Sequence, residues 1–215
     1  MSESIQARLT YNVDTGVKPV NETMEEGNLE RRYTGVSENH LVTVYNGRLL
    51  QDGFLLDEHG FRFVAHETRV RDFYDPVELK SVYYPEVEQL IRKFSGASRV
   101  VVFDYTIRSG DKIEREKRAL REPVYRVHND YTEWSGPQRV RDILPDEAEG
   151  LLNHRFAVIQ AWRPIRNPIE SDPLAICEAS SLSSKDLILS ERRYPDRVGE
   201  TYQVSYNPNH RWHYF

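Results

Sequence analysis

His128, Asn129 and Asp130 sit in the run Val124-Tyr125-Arg126-Val127-His128-Asn129-Asp130-Tyr131-Thr132. Its β-branched and aromatic residues favour a strand. Residues i and i+2 of a strand share a face, so the His128 imidazole and the Asp130 carboxylate point to one side and Asn129 to the other. A His and a carboxylate are two of the three ligands of the facial triad that holds ferrous iron in non-haem oxygenases, with positions left open for oxygen and substrate. A surface strand whose His and Asp pair only with each other has the same spacing, so the motif needs its context.

Other residues carry candidate chemistry at the level of type alone. Arg163 follows an apolar run, and a guanidinium suits a bidentate grip on a cosubstrate or substrate carboxylate; a structural ion pair at a strand end serves it equally. Trp162 beside it and Tyr131 beside Asp130 are candidate walls of a substrate pocket. Cys177, in Leu174-Ala175-Ile176-Cys177, reads as a small buried hydrophobe. The serines of Ser180-Ser181-Leu182-Ser183-Ser184 lack the Gly-x-Ser-x-Gly elbow of a nucleophile. Phosphate-binding loops, dinucleotide fingerprints and paired-cysteine zinc patterns are missing from the sequence.

Pattern along the chain indicates the scaffold that carries these groups. The chain has 215 residues, 39% hydrophobic and 29% charged, with a net charge of -5. That length fits one β-rich domain. Basic residues are scattered without interleaved aromatics, which argues against nucleic acid as a partner. The sequence has no stretch apolar enough to span a bilayer and no signal-peptide pattern at Met1-Ser2-Glu3-Ser4-Ile5-Gln6. One cysteine suits a reducing compartment, so the expectation is cytoplasmic.

Residues 1–40 read as an N-terminal arm or loop, and 41–215 as one β domain. Leu41–Tyr45 is strand-like and ends at Asn46-Gly47, a turn signal. Asp75-Pro76 starts a helix that Pro85 breaks or restarts, with Val87, Leu90, Ile91 and Phe94 at helical spacing. Arg99–Ile107, Arg155–Arg163, Leu174–Glu178, Asp186–Leu189 and Thr201–Tyr206 read as strands, and 137–152 as a short helix closed by Pro145. A mainly β chain with helices mostly in its N-terminal half fits a jelly roll, or double-stranded β-helix.

An ordered set of segments then resembles one family. Gly60-Phe61 with His66, Asp72-Phe73-Tyr74-Asp75, Tyr83-Tyr84-Pro85-Glu86 and Ser95-Gly96-Ala97 come first. Val102-Phe103-Asp104 with Arg108, the His128 run, Trp162-Arg163-Pro164, Pro173-Leu174-Ala175 and His210-Arg211-Trp212-His213-Tyr214-Phe215 succeed them. From about residue 40 onward the chain is similar to the fungal AsaB-type hydroxylase/desaturase family, CmcJ-like proteins included. That resemblance implies a double-stranded β-helix using Fe(II) and 2-oxoglutarate to hydroxylate or desaturate a small secondary metabolite. It implies His128 and Asp130 as metal ligands. Family members continue past the segment matching 210–215 into strands bearing the second iron-binding His and the 2-oxoglutarate Arg, so the expectation is a chain lacking its last strands. His210 and His213 are then the nearest fallback ligands. The alternative expectation is an inactive truncated relative or a cupin-like small-molecule binding protein.

Overall fold

The computed structural model describes residues 3–23, 31–50, 53–166, 169, 173–195 and 197–215. They group into two compact units. The first comprises 1–45, 124–158 and 180–212, and the second 46–123, 159–179 and 213–215.

The first unit is built on strands. β1 (Ser4–Val13) and β4 (Val36–Asn46) pair antiparallel from Ser4↔Tyr45 to Val13↔Val36. Between them come β2 (Val20–Thr23) and β3 (Arg31–Tyr33), themselves antiparallel. Residues 1–40, expected as an arm, therefore carry three strands and the start of a fourth. The polar side chains of this stretch concealed them, because one face of a ladder tolerates polar residues. β5 (His128–Asn129), β7 (Leu187–Arg193) and β8 (Val198–Val204) join β2 and β3 in a second sheet, in the order β3-β2-β7-β8-β5. α5 (Ser135–Ile143) and α6 (Ala148–Leu152) complete the unit and flank Pro145, where a single short helix was expected.

The core of this unit is aromatic and polar. Tyr11 is fully buried, stacked on His210 with centroids 5.7 Å apart and edge-on to Tyr206 at 5.3 Å. Trp212 Nε1 donates to the Tyr11 hydroxyl at 2.7 Å. Such ring pairs contribute about 1 kcal/mol each beyond the area they bury.

The second unit is mixed. α1 (Leu56–His59) ends at Gly60, whose φ of 80° is the left-handed conformation that a helix C-terminus favours in glycine. α2 (Pro76–Glu78) starts at Asp75, whose carboxylate accepts from the Val77 N–H. Pro85 does not interrupt the longer helix beyond it. Leu79–Tyr83 widens into one π-helical turn in which the Tyr84 N–H reaches the Leu79 carbonyl, and α3 (Tyr84–Ser95) continues with Pro85 in its first turn. A proline that lacks its N–H is tolerated there. α4 (Lys112–Arg118) comes next, then β6 (Ala175–Cys177) and β9 (Trp212–Tyr214), whose last two residues lie in this unit. Phe54, Phe61 and Phe215 form its core cluster, with Phe63 and Ile176 packed against them.

Two expected strands are not strands. Arg99–Ile107 and Arg155–Arg163 carry no ladder, and Val101, Phe103, Tyr105 and Trp162 remain about two-fifths exposed. Apolar runs supply the side chains of a strand, but only a hydrogen-bonded neighbour makes one.

Candidate functional site

β5 is short, but its register is firm. His128 lies opposite Gln203 and Asn129 opposite Tyr202 on β8; Gln203 in turn lies opposite Ile188 on β7. Side chains directly opposite in an antiparallel ladder share a face. His128 therefore stands in a cross-strand row with Gln203 and Ile188, and Asp130 lies just past the end of β5.

The strand is pinned immediately before the histidine. The Val127 N–H donates to the Thr10 carbonyl at 2.9 Å, and Asn12 Nδ2 donates to the Val127 carbonyl at 3.3 Å. Asn12 Nδ2 also donates to Gln203 Oε1 at 3.2 Å, and the Tyr33 hydroxyl donates to Asn12 Oδ1 at 2.6 Å. Arg126 lays its guanidinium 3.7 Å from the centre of the Tyr33 ring. Burial raises the Tyr33 phenol, which Arg126 opposes, and lowers the Arg126 guanidinium. Asn12 and Gln203 are buried polar side chains whose hydrogen bonds hold one another.

His128 Nδ1 lies 2.7 Å from the Arg126 carbonyl oxygen. A carbonyl only accepts, so Nδ1 carries the proton and Nε2 the lone pair. Nε2 faces Asp130 Oδ1 at 3.4 Å, with the two side chains 29% and 41% exposed. That separation is longer than an N–H···O hydrogen bond. It is within the span of two atoms that both ligate one ion at about 2 Å. The donor types and the tautomer therefore fit two metal ligands, and the partial exposure leaves room for further ones. Among the described residues no group of three or more His, Cys, Asp or Glu side chains could hold a metal.

Asp130 is held from its C-terminal side. The buried Thr132 hydroxyl accepts from the Trp134 and Ser135 N–H groups at 3.3 and 3.0 Å, and the Gly136 N–H reaches the Thr132 carbonyl at 3.0 Å. These bonds fix the entry to α5. Thr132 Oγ1 also reaches Glu200 Oε2 at 3.5 Å, and Lys18 Nζ binds Glu200 at 2.8 Å.

The fallback histidines are engaged elsewhere. His210 Nε2 donates to Asp186 Oδ2 at 3.1 Å, and its Nδ1 lies 3.3 Å from the Tyr11 hydroxyl. His213 Nε2 donates to Glu178 Oε1 at 2.7 Å, in the second unit. Both are buried, and both act within their cores. Arg163 also belongs to the second unit: Nη2 donates to the His66 carbonyl at 3.1 Å, and the guanidinium lies over Phe73 and Tyr83 at 5.5 and 5.7 Å. Burial pushes the Tyr83 phenol up, and Arg163 opposes it. Trp162 is 46% exposed in the same unit. Tyr131 follows Asp130, its N–H 3.5 Å from Asn129 Oδ1. Sequence reasoning did not single out Asn12, Tyr33, Arg126 or Gln203. The signal available was a polar residue at an inward position of the β8 run, but its partners come from β1 and β3, over a hundred residues away.

A family profile described as an oxidoreductase/YMDC permease-like domain matches residues 9–215. The alpha-ketoglutarate-dependent dioxygenase phiK, of a fungal species, is 33% identical over 201 residues, covering 87% of this chain and 72% of that protein. Oxidoreductase AN1597 of Emericella nidulans is 31% identical over 162 residues, covering 73% and 55%. Hydroxylase/desaturase CTB9 of Cercospora beticola is 31% identical over 210 residues, covering 87% and 63%. The chain thus spans between 55% and 72% of the length of these relatives. Among solved structures, the iron and alpha-ketoglutarate-dependent endoperoxidase NvfI superposes with a TM-score of 0.82 at 20% identity, over 99% of this chain and 79% of that one.

The fold is therefore mainly β, the double-stranded β-helix (jelly roll) seen in a non-haem iron oxygenase. The chain belongs to the family of fungal Fe(II)/2-oxoglutarate-dependent dioxygenases and hydroxylase/desaturases.

Proposed function

We propose that this chain takes part in the Fe(II)- and 2-oxoglutarate-dependent hydroxylation or desaturation of a small secondary metabolite, with His128 Nε2 and Asp130 Oδ1 as metal ligands. The observation that carries the site is the 3.4 Å approach of those two atoms, with Nδ1 committed to the Arg126 carbonyl. Iron(II) with 2-oxoglutarate supplies oxidation of a substrate C–H bond, with succinate and carbon dioxide released. The protein's own part is positioning. The Arg126 carbonyl holds the Nδ1 proton, so Nε2 stays a donor to metal. Thr10 and Asn12 fix the backbone at Val127, and Asp130 brings negative charge that favours a cation.

Tyr131, next to Asp130, is kept as a pocket wall. Roles for Arg163 toward a carboxylate and for Trp162 toward a substrate rest on residue type alone. The partner in this reading is a small molecule, with neither nucleic acid nor membrane; no described helix is long and apolar enough to cross a membrane. A reducing compartment such as the cytoplasm accords with the free thiol of Cys177.

The test is succinate release from 2-oxoglutarate by the purified chain with iron(II) and oxygen. The reading expects release in the native chain and background release in His128→Ala. Release that is equal in both would contradict the assignment, and its absence from a chain that nonetheless binds small acids would favour the cupin-like binder.

A further inference from the structure

The second unit contains a cavity of about 480 Å³ lined by Tyr74, Tyr105, Thr106, Ile107 and the stretch Arg118–Arg121. Neither His128 nor Asp130 lines it. α4 ends at its wall in an unusual way. Ala119 has a φ of 52°, and among the described residues it is the one non-glycine with positive φ. The Ala119 and Leu120 N–H groups both bond to the Arg115 carbonyl, the latter at 3.0 Å, which turns the chain sharply out of the helix. The Arg121 N–H then reaches the Ile107 carbonyl at 3.2 Å, and its carbonyl accepts from the Ser109 N–H at 3.1 Å. A left-handed alanine is strained, and such strain persists where surrounding structure imposes it. Here it sets Arg118 and Arg121 on either side of the turn, both on the cavity wall.

The two guanidinium groups are short of acceptors. Arg118 places its guanidinium carbon over the Tyr74 ring, 3.9 Å from its centre. Its Nε is 3.9 Å from Glu114 Oε1, beyond hydrogen-bond reach. A guanidinium held over a ring has five N–H donors, and an acceptor in the cavity can still take them. The Arg121 side chain has no hydrogen bond or ion pair among the described residues. The nearby carboxylate, Glu114, is already engaged: it accepts from the Tyr74 hydroxyl at 3.0 Å and the Ser109 hydroxyl at 2.9 Å, and pairs with Arg166 at 2.6 Å. These donors hold Glu114 below the usual carboxylate range, against the effect of burial. Asp104, just before Tyr105 in the chain, spends its carboxylate on the Tyr105 N–H at 2.7 Å. Two guanidinium groups with open donors and the Tyr105 ring thus meet in one cavity, with Tyr74 backing Arg118.

We propose that this cavity is a second ligand site, for a small planar carboxylate: the acid on Arg118 and Arg121, the ring against Tyr105. It is separate from the Fe(II)/2-oxoglutarate chemistry and needs no metal. The test is calorimetric titration of the full, metal-free chain with benzoate, with benzamide as the uncharged isostere and inorganic phosphate as the bare anion. Saturable benzoate binding in a range up to about 10 mM, at least tenfold weaker for benzamide and in Arg121→Ala, is the expected result. Arg121 is exposed, and circular dichroism of Arg121→Ala is expected to match that of the native chain. Unsaturable benzoate binding, or binding equal in Arg121→Ala, overturns the proposal. Phosphate binding as tightly as benzoate overturns the planar-acid class, and loss of benzoate binding in His128→Ala moves the ligand to the metal site and overturns the location.

Discussion

The Arg126 carbonyl oxygen, two residues before His128, lies 2.7 Å from its Nδ1, and this contact decides which ring nitrogen can serve a metal. The carbonyl cannot be removed by changing a side chain, but the segment that presents it can be loosened. Asn12 is the residue to change, since it holds the Val127 carbonyl, Gln203 and Tyr33 together. Asn12→Ala leaves the buried Gln203 amide short of a partner and is expected to cost about 2 kcal/mol of stability. It should also weaken iron binding roughly tenfold, as loss of outer-shell partners does. Chemical denaturation and a metal titration on the same variant check the two effects.

The His210–Asp186 pair gives the first unit an acid-sensitive core. Burial alone would raise Asp186, but the Ser183 N–H, His210 and Asn207 outweigh it and hold its carboxyl below the ordinary 3.8. A carboxylate depressed in the folded state stabilises fully above its unfolded value, and that contribution is lost as pH falls through the folded one. The melting temperature should therefore be insensitive to Asp186 from pH 5 to 7 and fall below about pH 3.8. Asp186→Asn should lower stability by about 3 kcal/mol at pH 7 and flatten the acid limb. Thermal melts across pH of the two proteins measure it; parallel acid limbs would contradict the role given to Asp186.

Phe215 closes the aromatic cluster of the second unit, stacked on Phe63 at 5.0 Å and edge-on to Phe54 at 5.8 Å. Phe215→Ala should cost about 3–5 kcal/mol. Gly47 is tied to the same ring, because a Cβ there would collide with Phe215. Gly47→Ala should therefore destabilise too, and combining the two changes should cost less than their sum, since removing the ring removes the clash. A double-mutant cycle by urea denaturation tests this.

Ala119 offers the opposite sign. Glycine adopts its φ of 52° without steric cost. Ala119→Gly should stabilise by about 1 kcal/mol, raising the melting temperature by roughly 2–4 °C for a chain of this size. Differential scanning calorimetry of the two proteins measures the shift.

The nearness of His128 and Asp130 was legible because it depends only on neighbours along the chain, although β5 ends at Asn129 and Asp130 lies just past it. His128 and Asp130 needed no knowledge of what pairs with β5. The rest of the site depends on pairing across long separations: Asn12 with Gln203, Tyr33 with Asn12, Arg126 with the Tyr33 ring. No local pattern encodes these. The same difference explains the fold. α3 was legible from its apolar spacing, whereas Asn46-Gly47, which reads as a hairpin turn, leads into a 3-10 turn over Gly47–Leu50 without a positive φ at Gly47. The run Arg99–Ile107 has a strand's composition but joins no strand ladder among the described residues, and Ser4–Val13 has a ladder without a strand's composition. His210 and His213 resembled spare ligands only while Asp186 and Glu178 were out of view.

The most direct test of the central claim is an anaerobic iron(II) titration of the native chain beside His128→Ala and Asp130→Ala, monitored by calorimetry, with circular dichroism to show that each is folded. The account predicts saturable one-to-one binding in the native chain, weakened by at least tenfold in each variant. Binding of equal strength in all three folded proteins would contradict it.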